Sequence, residues 1–216
     1  MAAKTPAEPS TQIPDRPQIY LITPPTFALE VFPAELAKVL DAVDVACIRL
    51  ALASRDEDAI GRAADACRQI AHERDVAVVI EDHLKLVERH GLDGIHLSDA
   101  ARSVRAARKE LGADAIVGAW CGASQHAGMS AGEAGADYVC FGPVGDTALG
   151  TATRAERDLF AWWSEVIEVP VVAEGALSPA LVTDLAPVTD FFAIGPEIWG
   201  EKDPAAALRA LIAGIG

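Results

Sequence analysis

Basic residues are scarce in this chain. Lysine and arginine number 18 against 32 aspartates and glutamates, for a formal net charge of −14, so the surface repels nucleic acid and anionic membranes. Long apolar runs are also missing: none reaches the roughly eighteen residues that a bilayer span requires, and the N-terminus lacks the charged and apolar regions of a secretory signal. The chain therefore reads as cytoplasmic, with neither nucleic acid nor membrane as a partner. Cysteine is sparse. The residues at 47, 67, 121 and 140 form no Cys-x-x-Cys pair and have no zinc-type spacing to histidine. Three fall in apolar strand-like runs, where cysteine behaves as a small hydrophobe, so reduced thiols are expected and metal-thiolate chemistry is not. No Gly-x-Gly-x-x-Gly follows the first apolar run, which removes the signature of a dinucleotide-binding open sheet.

What is present is apolar and periodic. With 216 residues, 51% of them hydrophobic, and a mean hydropathy of +0.22, the chain can bury a sizeable core within the usual size of one domain. Residues 1–17 are rich in proline and small polar residues and have no apolar period, so they are expected to be a disordered tail. From residue 18 to 216, short apolar runs alternate with amphipathic stretches. The runs are Ile19–Thr23, Ala46–Leu52, Ala77–Ile80, Gly94–Leu97, Ile116–Trp120, Tyr138–Phe141, Val171–Ala173 and Phe191–Ile194. They are continuous rather than alternating, as parallel strands covered on both faces require. Between them, Asp56–Arg74 repeats Ile60, Ala63, Ala64, Cys67 and Ile70 at helical steps, and Asp203 with Pro204 forms a helix-start signal. Eight strand-helix units of this economy predict an α/β fold, a single (β/α)8 TIM barrel, with its chemistry at the C-terminal ends of the strands.

Those ends are acidic. Glu81-Asp82-His83 follow the third run, Ser98-Asp99 the fourth, Glu174-Gly175-Ala176 the seventh and Gly195-Pro196-Glu197 the eighth. Arg49, inside ACIRLAL, is too costly to bury alone. Two readings are open, a buried ion pair with Glu81 or Asp82 and the binding of an anionic ligand. Asp82, with Glu81 and Asp99 nearby, suits a magnesium site built on oxygen, although Asp82 and Asp99 also stand where helix caps belong. In YVCFGPVGDT, Gly142, Pro143 and Gly145 form a turn that can bring backbone N–H groups to a ligand or can simply leave the barrel. His96 fits a satisfied core histidine as well as an acid or base, and His126 lies on a loop or first helical turn.

The segments QIYLIT, VVIEDHLKLVERHGLDGIHLS, AGADYVCFGPVGDT and PVVAEGAL, in this order from Gln18 onward, resemble the thiamine phosphate synthase family, which includes the TenI-like thiazole tautomerases. The resemblance implies a barrel that joins an aminopyrimidine methyl pyrophosphate to a thiazole phosphate, with Mg2+ on the pyrophosphate. It carries catalytic roles to Arg49 and Asp82, metal binding to Asp82 and Asp99, and substrate binding to Gly142, Pro143, Thr147, Glu174, Gly175 and Gly195. The departures are equally specific. In the family's Gln-Leu-Arg-x-Lys motif only Arg49 survives, among Cys47, Ile48, Leu50 and Ala51. Ala101 stands where a second magnesium carboxylate belongs, with Asp99 two residues earlier as its substitute, and Gly150 replaces the pyrophosphate-binding lysine. Pro196 replaces a serine and has no N–H to offer a phosphate, while Glu174 and Glu197 add negative charge. The tautomerase histidine has no clean counterpart, the nearest being His126. The resemblance thus implies a divergent member acting on a small thiamine precursor. The alternative is a non-catalytic or respecialised barrel for a cationic or neutral one. The sequence leaves the oligomeric state undetermined.

Overall fold

A computed structural model describes residues 16–147 and 152–215. The strands β1 (Gln18–Ile22), β2 (Cys47–Leu50), β3 (Ala77–Glu81), β4 (Gly94–Leu97), β5 (Ile116–Trp120), β6 (Tyr138–Phe141), β7 (Val171–Glu174) and β8 (Phe191–Ile194) pair in parallel, each with the next, and β8 closes on β1. Seven connections carry the helices α1 (Phe32–Ala42), α2 (Glu57–His72), α3 (Leu84–His90), α4 (Val104–Leu111), α5 (Gln125–Glu133), α6 (Arg157–Val166) and α7 (Pro179–Leu185). After β8 come α8 (Pro196–Trp199) and α9 (Pro204–Leu211). This is the expected (β/α)8 barrel. The tail expected over residues 1–17 lies outside the described residues except for Arg16 and Pro17.

Strand alternation divides the core into two. Ile19, Leu21, Ile48, Leu50, Val78, Ile80, Val139, Phe141, Phe192 and Ile194 face outward and pack with the helices, where Trp163 and Phe160 fill the space over β6. Tyr20, Ile22, Cys47, Val79, Tyr138, Cys140, Val172 and Ala193 fill the barrel interior. The helix starts follow capping chemistry. Asp56 accepts from the N–H groups of Asp58 and Ala59, and Asp203 accepts from Ala206 with Pro204 first in its helix. The last helix ends at Leu211, short of the chain end, and α2 buries Ile60, Ala63, Ala64 and Cys67 on the predicted face.

One correction bears directly on function. Glu81 and Glu174, read from the sequence as loop residues, are the last residues of β3 and β7. Each stands two positions beyond an inward residue, Val79 or Val172, so the period of two turns both carboxylates into the barrel.

Candidate active site at the C-terminal mouth

Arg49 lies on β2, between Ile22 of β1 and Val79 of β3 in the ladder, and only 4% of it is exposed. Its guanidinium meets three neighbouring side chains. Nη2 donates to Glu174 Oε1 at 2.6 Å and Nη1 to His96 Nε2 at 2.7 Å. Nε lies 3.4 Å from Glu81 Oε2 but makes no hydrogen bond. Of the two readings from sequence, the buried ion pair is present, and its shortest contact is to Glu174 rather than to Glu81 or Asp82. A guanidinium only donates, so the ring nitrogen facing it must accept. The His96 proton therefore sits on Nδ1, from which it donates to the Tyr138 hydroxyl at 2.9 Å, and Tyr138 in turn bonds Tyr20 at 2.8 Å. Gly118, beside both His96 and Tyr138 in the ladder, makes room: a Cβ there would clash with Tyr138 Cζ and with its hydroxyl oxygen.

The charges follow from this wiring. Burial opposes the Arg49 charge, but Glu174, Tyr20 and Cys140 and the hydrogen bond to Glu174 outweigh it and hold the guanidinium well above its ordinary value. Burial, helped by the Arg49 charge, keeps His96 neutral, well below 6.5. Burial also raises the Glu81 carboxyl, although Arg49 opposes the rise. The thiol of Cys140 donates to Glu174 Oε2 at 3.0 Å, and burial first, then the Glu174 charge, pushes its titration well up. The four cysteines are buried and free, as the sequence suggests, but Cys140 helps to fix a carboxylate.

Around this floor the loops close on one another. Asp82, with φ of +57°, accepts from Ser98 N at 2.9 Å and Ser98 Oγ at 2.5 Å. It thus ties the β3 loop to the β4 loop and caps no helix. Asp99 accepts from Ser103 Oγ at 2.6 Å, at the start of α4. Both carboxylates line one cleft of about 360 Å³ with Ser98 and Ser103. Among the described residues no three His, Cys, Asp or Glu side chains converge as a metal cage. The cleft is also lined by Leu84, Leu97, Ala106 and Ala107, so what it could offer Mg2+ is the two carboxylates, the number that this ion takes from protein while it keeps most of its water.

The strand-6 turn packs against the strand-7 turn. Val144 N donates to Glu174 O and Gly175 O, Gly145 N to Gly175 O, and Gly142 N to Gly122 O. A Cβ on Gly142 or Gly145 would strike the backbone of Glu174 or Ala176. Close approach of two loops thus accounts for these glycines, and their amides are already used. Pro143 is buried between the turns, where its atoms lie 3.0–3.1 Å from a Cβ built on Gly175. Thr147 is half-buried at the edge of the described segment, and Gly150 lies outside the described residues. Gly195 precedes α8, and Glu197 within α8 accepts from Gly195 N at 2.9 Å and Leu177 N at 3.1 Å. His126 is exposed on α5, away from the Arg49 wiring.

Sequence reasoning missed Tyr20 and Tyr138, because a tyrosine in an apolar run reads as core, and Glu174 as the main Arg49 partner, because the strand end was placed one residue early. It also missed Arg154, whose Nε donates to Val144 O at 3.1 Å. That residue puts a cation beside the strand-6 turn, with Asp146 at 3.5 Å and Glu156 at 4.0 Å from its guanidinium.

Comparison with known proteins bears on this arrangement as a whole. The family model described as thiamine monophosphate synthase matches residues 19–193. A thiamine-phosphate synthase of Rhodospirillum centenum is 42% identical over 197 residues, covering 88% of this chain and 94% of that one. A thiamine-phosphate synthase of Erythrobacter litoralis is 37% identical over 205 residues, covering 91% and 93%. Among solved structures, thiamine phosphate pyrophosphorylase from Pyrococcus furiosus superposes with a TM-score of 0.78 at 21% identity, covering 92% of this chain and 95% of that one. The 3-hexulose-6-phosphate synthase of Salmonella typhimurium superposes with a TM-score of 0.68 at 18% identity, covering 91% and 97%. These two likenesses speak to the fold alone. The family match and the full-length relatives go further: this chain belongs to the thiamine monophosphate synthase family.

Proposed function

We propose that the mouth carries out a synthase-type condensation in thiamine biosynthesis, joining an aminopyrimidine methyl pyrophosphate to a thiazole whose family form is the thiazole phosphate. The observation that carries this reading is Arg49, a charged guanidinium buried at the barrel floor whose Nε has no hydrogen-bond partner. In the reaction the bond from the methylene carbon to the pyrophosphate oxygen breaks, its electron pair leaves with pyrophosphate, and the thiazole nitrogen bonds the carbon. The leaving group gains negative charge while the organic fragment becomes cationic. Arg49, braced by His96, is the cation that would answer the first, and the clustered carboxylates of Glu81 and Glu174 are the anions that would answer the second. Placing opposite charges where charge develops is the largest single catalytic contribution that a preorganised site makes. Arg154 adds a second cation beside the strand-6 turn.

Mg2+, held by Asp82 and Asp99, would neutralise the pyrophosphate and orient it for departure. Calorimetric titration with pyrophosphate and Mg2+ tests this. Metal-dependent binding that disappears in Asp82→Ala supports the reading, and binding of pyrophosphate that ignores both the metal and Asp82 contradicts it.

A second reading has its own observation. Arg49 is answered by two carboxylates, so the floor carries no excess positive charge, which suits a cationic or neutral precursor bound without turnover. Tight thiamine or aminopyrimidine binding without metal, together with no condensation, supports that alternative.

A further inference from the structure

Barrels of this type often hold phosphate with backbone N–H groups of the loops after the seventh and eighth strands. This chain builds such a pair of donors. In the β7 turn, Gly175 at φ +91° and Ala176 at φ +55° leave the Leu177 N–H directed across to the β8 loop. There Gly195 presses on Ile22, with space for no side chain, and its N–H joins that of Leu177 on a single carboxylate. The occupant is Glu197, Oε2 on Gly195 at 2.9 Å and Oε1 on Leu177 at 3.1 Å.

The occupant is firmly placed. Ile198 is fully buried, the Trp199 indole N–H donates to Ile22 O at 2.6 Å, and the Trp199 ring stands edge-on to Phe32 at 5.0 Å. These contacts pin α8 on the end of β1, so the Glu197 backbone cannot drift from the amides its side chain spans. Pro196, between Gly195 and Glu197, has no N–H with which to add a donor. A phosphate arriving here finds both amides taken and meets a like charge.

We infer that Glu197 is a specificity-determining residue, a resident anion that closes the amide pair of the β7 and β8 loops to phosphate. The second substrate is then taken at this end as a phosphate-free alcohol in preference to its phosphate ester. The identity of that substrate rests on the condensation reading above; the exclusion of phosphate does not.

The test uses the whole chain, labelled with nitrogen-15 and titrated with inorganic phosphate. In the native protein the Gly195 and Leu177 amide signals hold still. In Glu197→Ala they shift saturably, with phosphate affinity about tenfold or more above the native protein's, since two charge-assisted acceptors have been removed. Glu197→Gln, which keeps the shape but has one carbonyl oxygen for two donors, falls between. Melting temperature gives a second readout should Glu197→Ala lose stability, because phosphate raises the melting temperature of any variant that binds it, and here it should do so for the alanine variant but not the native protein. Equal shifts in native and variant proteins, or none in the variant, overturn the inference. Condensation assays with the thiazole alcohol and the thiazole phosphate separate the two claims. Failure of both substrates beside the predicted phosphate titration sinks the condensation reading and leaves the exclusion standing. Preference of the native protein for the phosphate ester overturns the specificity.

Discussion

Arg49 can carry its charge into the barrel because Glu174 and His96 accept from it and Glu81 stands beside it. Removing it leaves Glu174 a buried carboxylate with only the Cys140 thiol as donor, and leaves His96 Nε2 without a partner. Breaking a buried pair from one side costs about 3–5 kcal/mol, so Arg49→Ala should lower the urea-unfolding free energy by roughly that amount. His96 adds a pH signature. Its folded pKa is depressed, so the unfolded chain binds the extra proton, and stability is present above 6.5 and lost as pH falls below that ordinary value. The slope is at most about 1.4 kcal/mol per pH unit for one proton. Glu81, shifted upward, contributes with the opposite sign at lower pH. The difference between native protein and His96→Gln isolates the histidine, because glutamine can still accept from Arg49 and donate to Tyr138. Equal acid profiles for the two proteins would contradict a neutral His96. The sequence disclosed that an arginine in an apolar run needs an acidic partner. It did not disclose which one, since the choice between Glu81, Asp82 and Glu174 turns on a one-residue difference in where a strand ends.

The elements were more legible than the contacts between them. Eight apolar runs became eight strands within a residue or two, because continuous apolar segments between amphipathic ones fit a sheet covered on both faces. Asp203-Pro204 started a helix as its chemistry requires. Close packing between neighbouring strands was hidden, because a glycine inside a strand run says only that something approaches. Gly118 is such a position, with Tyr138 against it. Gly118→Ala should push Tyr138 from its bonds to His96 and Tyr20 at a cost of about 1–3 kcal/mol. The loss is read from denaturant unfolding, and Tyr138→Phe combined with Gly118→Ala should cost less than the sum of the two changes, as coupled neighbours do. Full additivity would contradict the steric account. In the same way the glycines of the strand-6 turn, candidates for ligand amides from sequence, serve the approach of that turn to the strand-7 turn.

For the whole molecule, the acidic net charge remains a fact of composition, but its distribution at the mouth is more ordered than a count of carboxylates implies. Glu174 and Glu81 answer Arg49, Asp82 and Asp99 hold the serines of the β3–β4 corner, and Glu197 fills two amides. Glu174 and Glu81 share Arg49, Asp82 reaches Ser98 and Glu197 reaches Leu177 across separate loops, and these long-range pairings cannot be read from sequence, whereas Asp99 with Ser103 and Glu197 with Gly195 are local. The central claim is that a charged Arg49 at the floor of this mouth drives departure of pyrophosphate from an activated aminopyrimidine. The most direct test incubates the purified protein with the aminopyrimidine methyl pyrophosphate, Mg2+ and either thiazole alcohol or thiazole phosphate, and follows pyrophosphate release together with the coupled product. The native protein should form that product and release pyrophosphate in equal amounts, with the rate falling by about a hundredfold or more in Arg49→Ala, as the loss of one preorganised charged donor predicts. No coupled product from either thiazole, or a rate indifferent to Arg49, would contradict it.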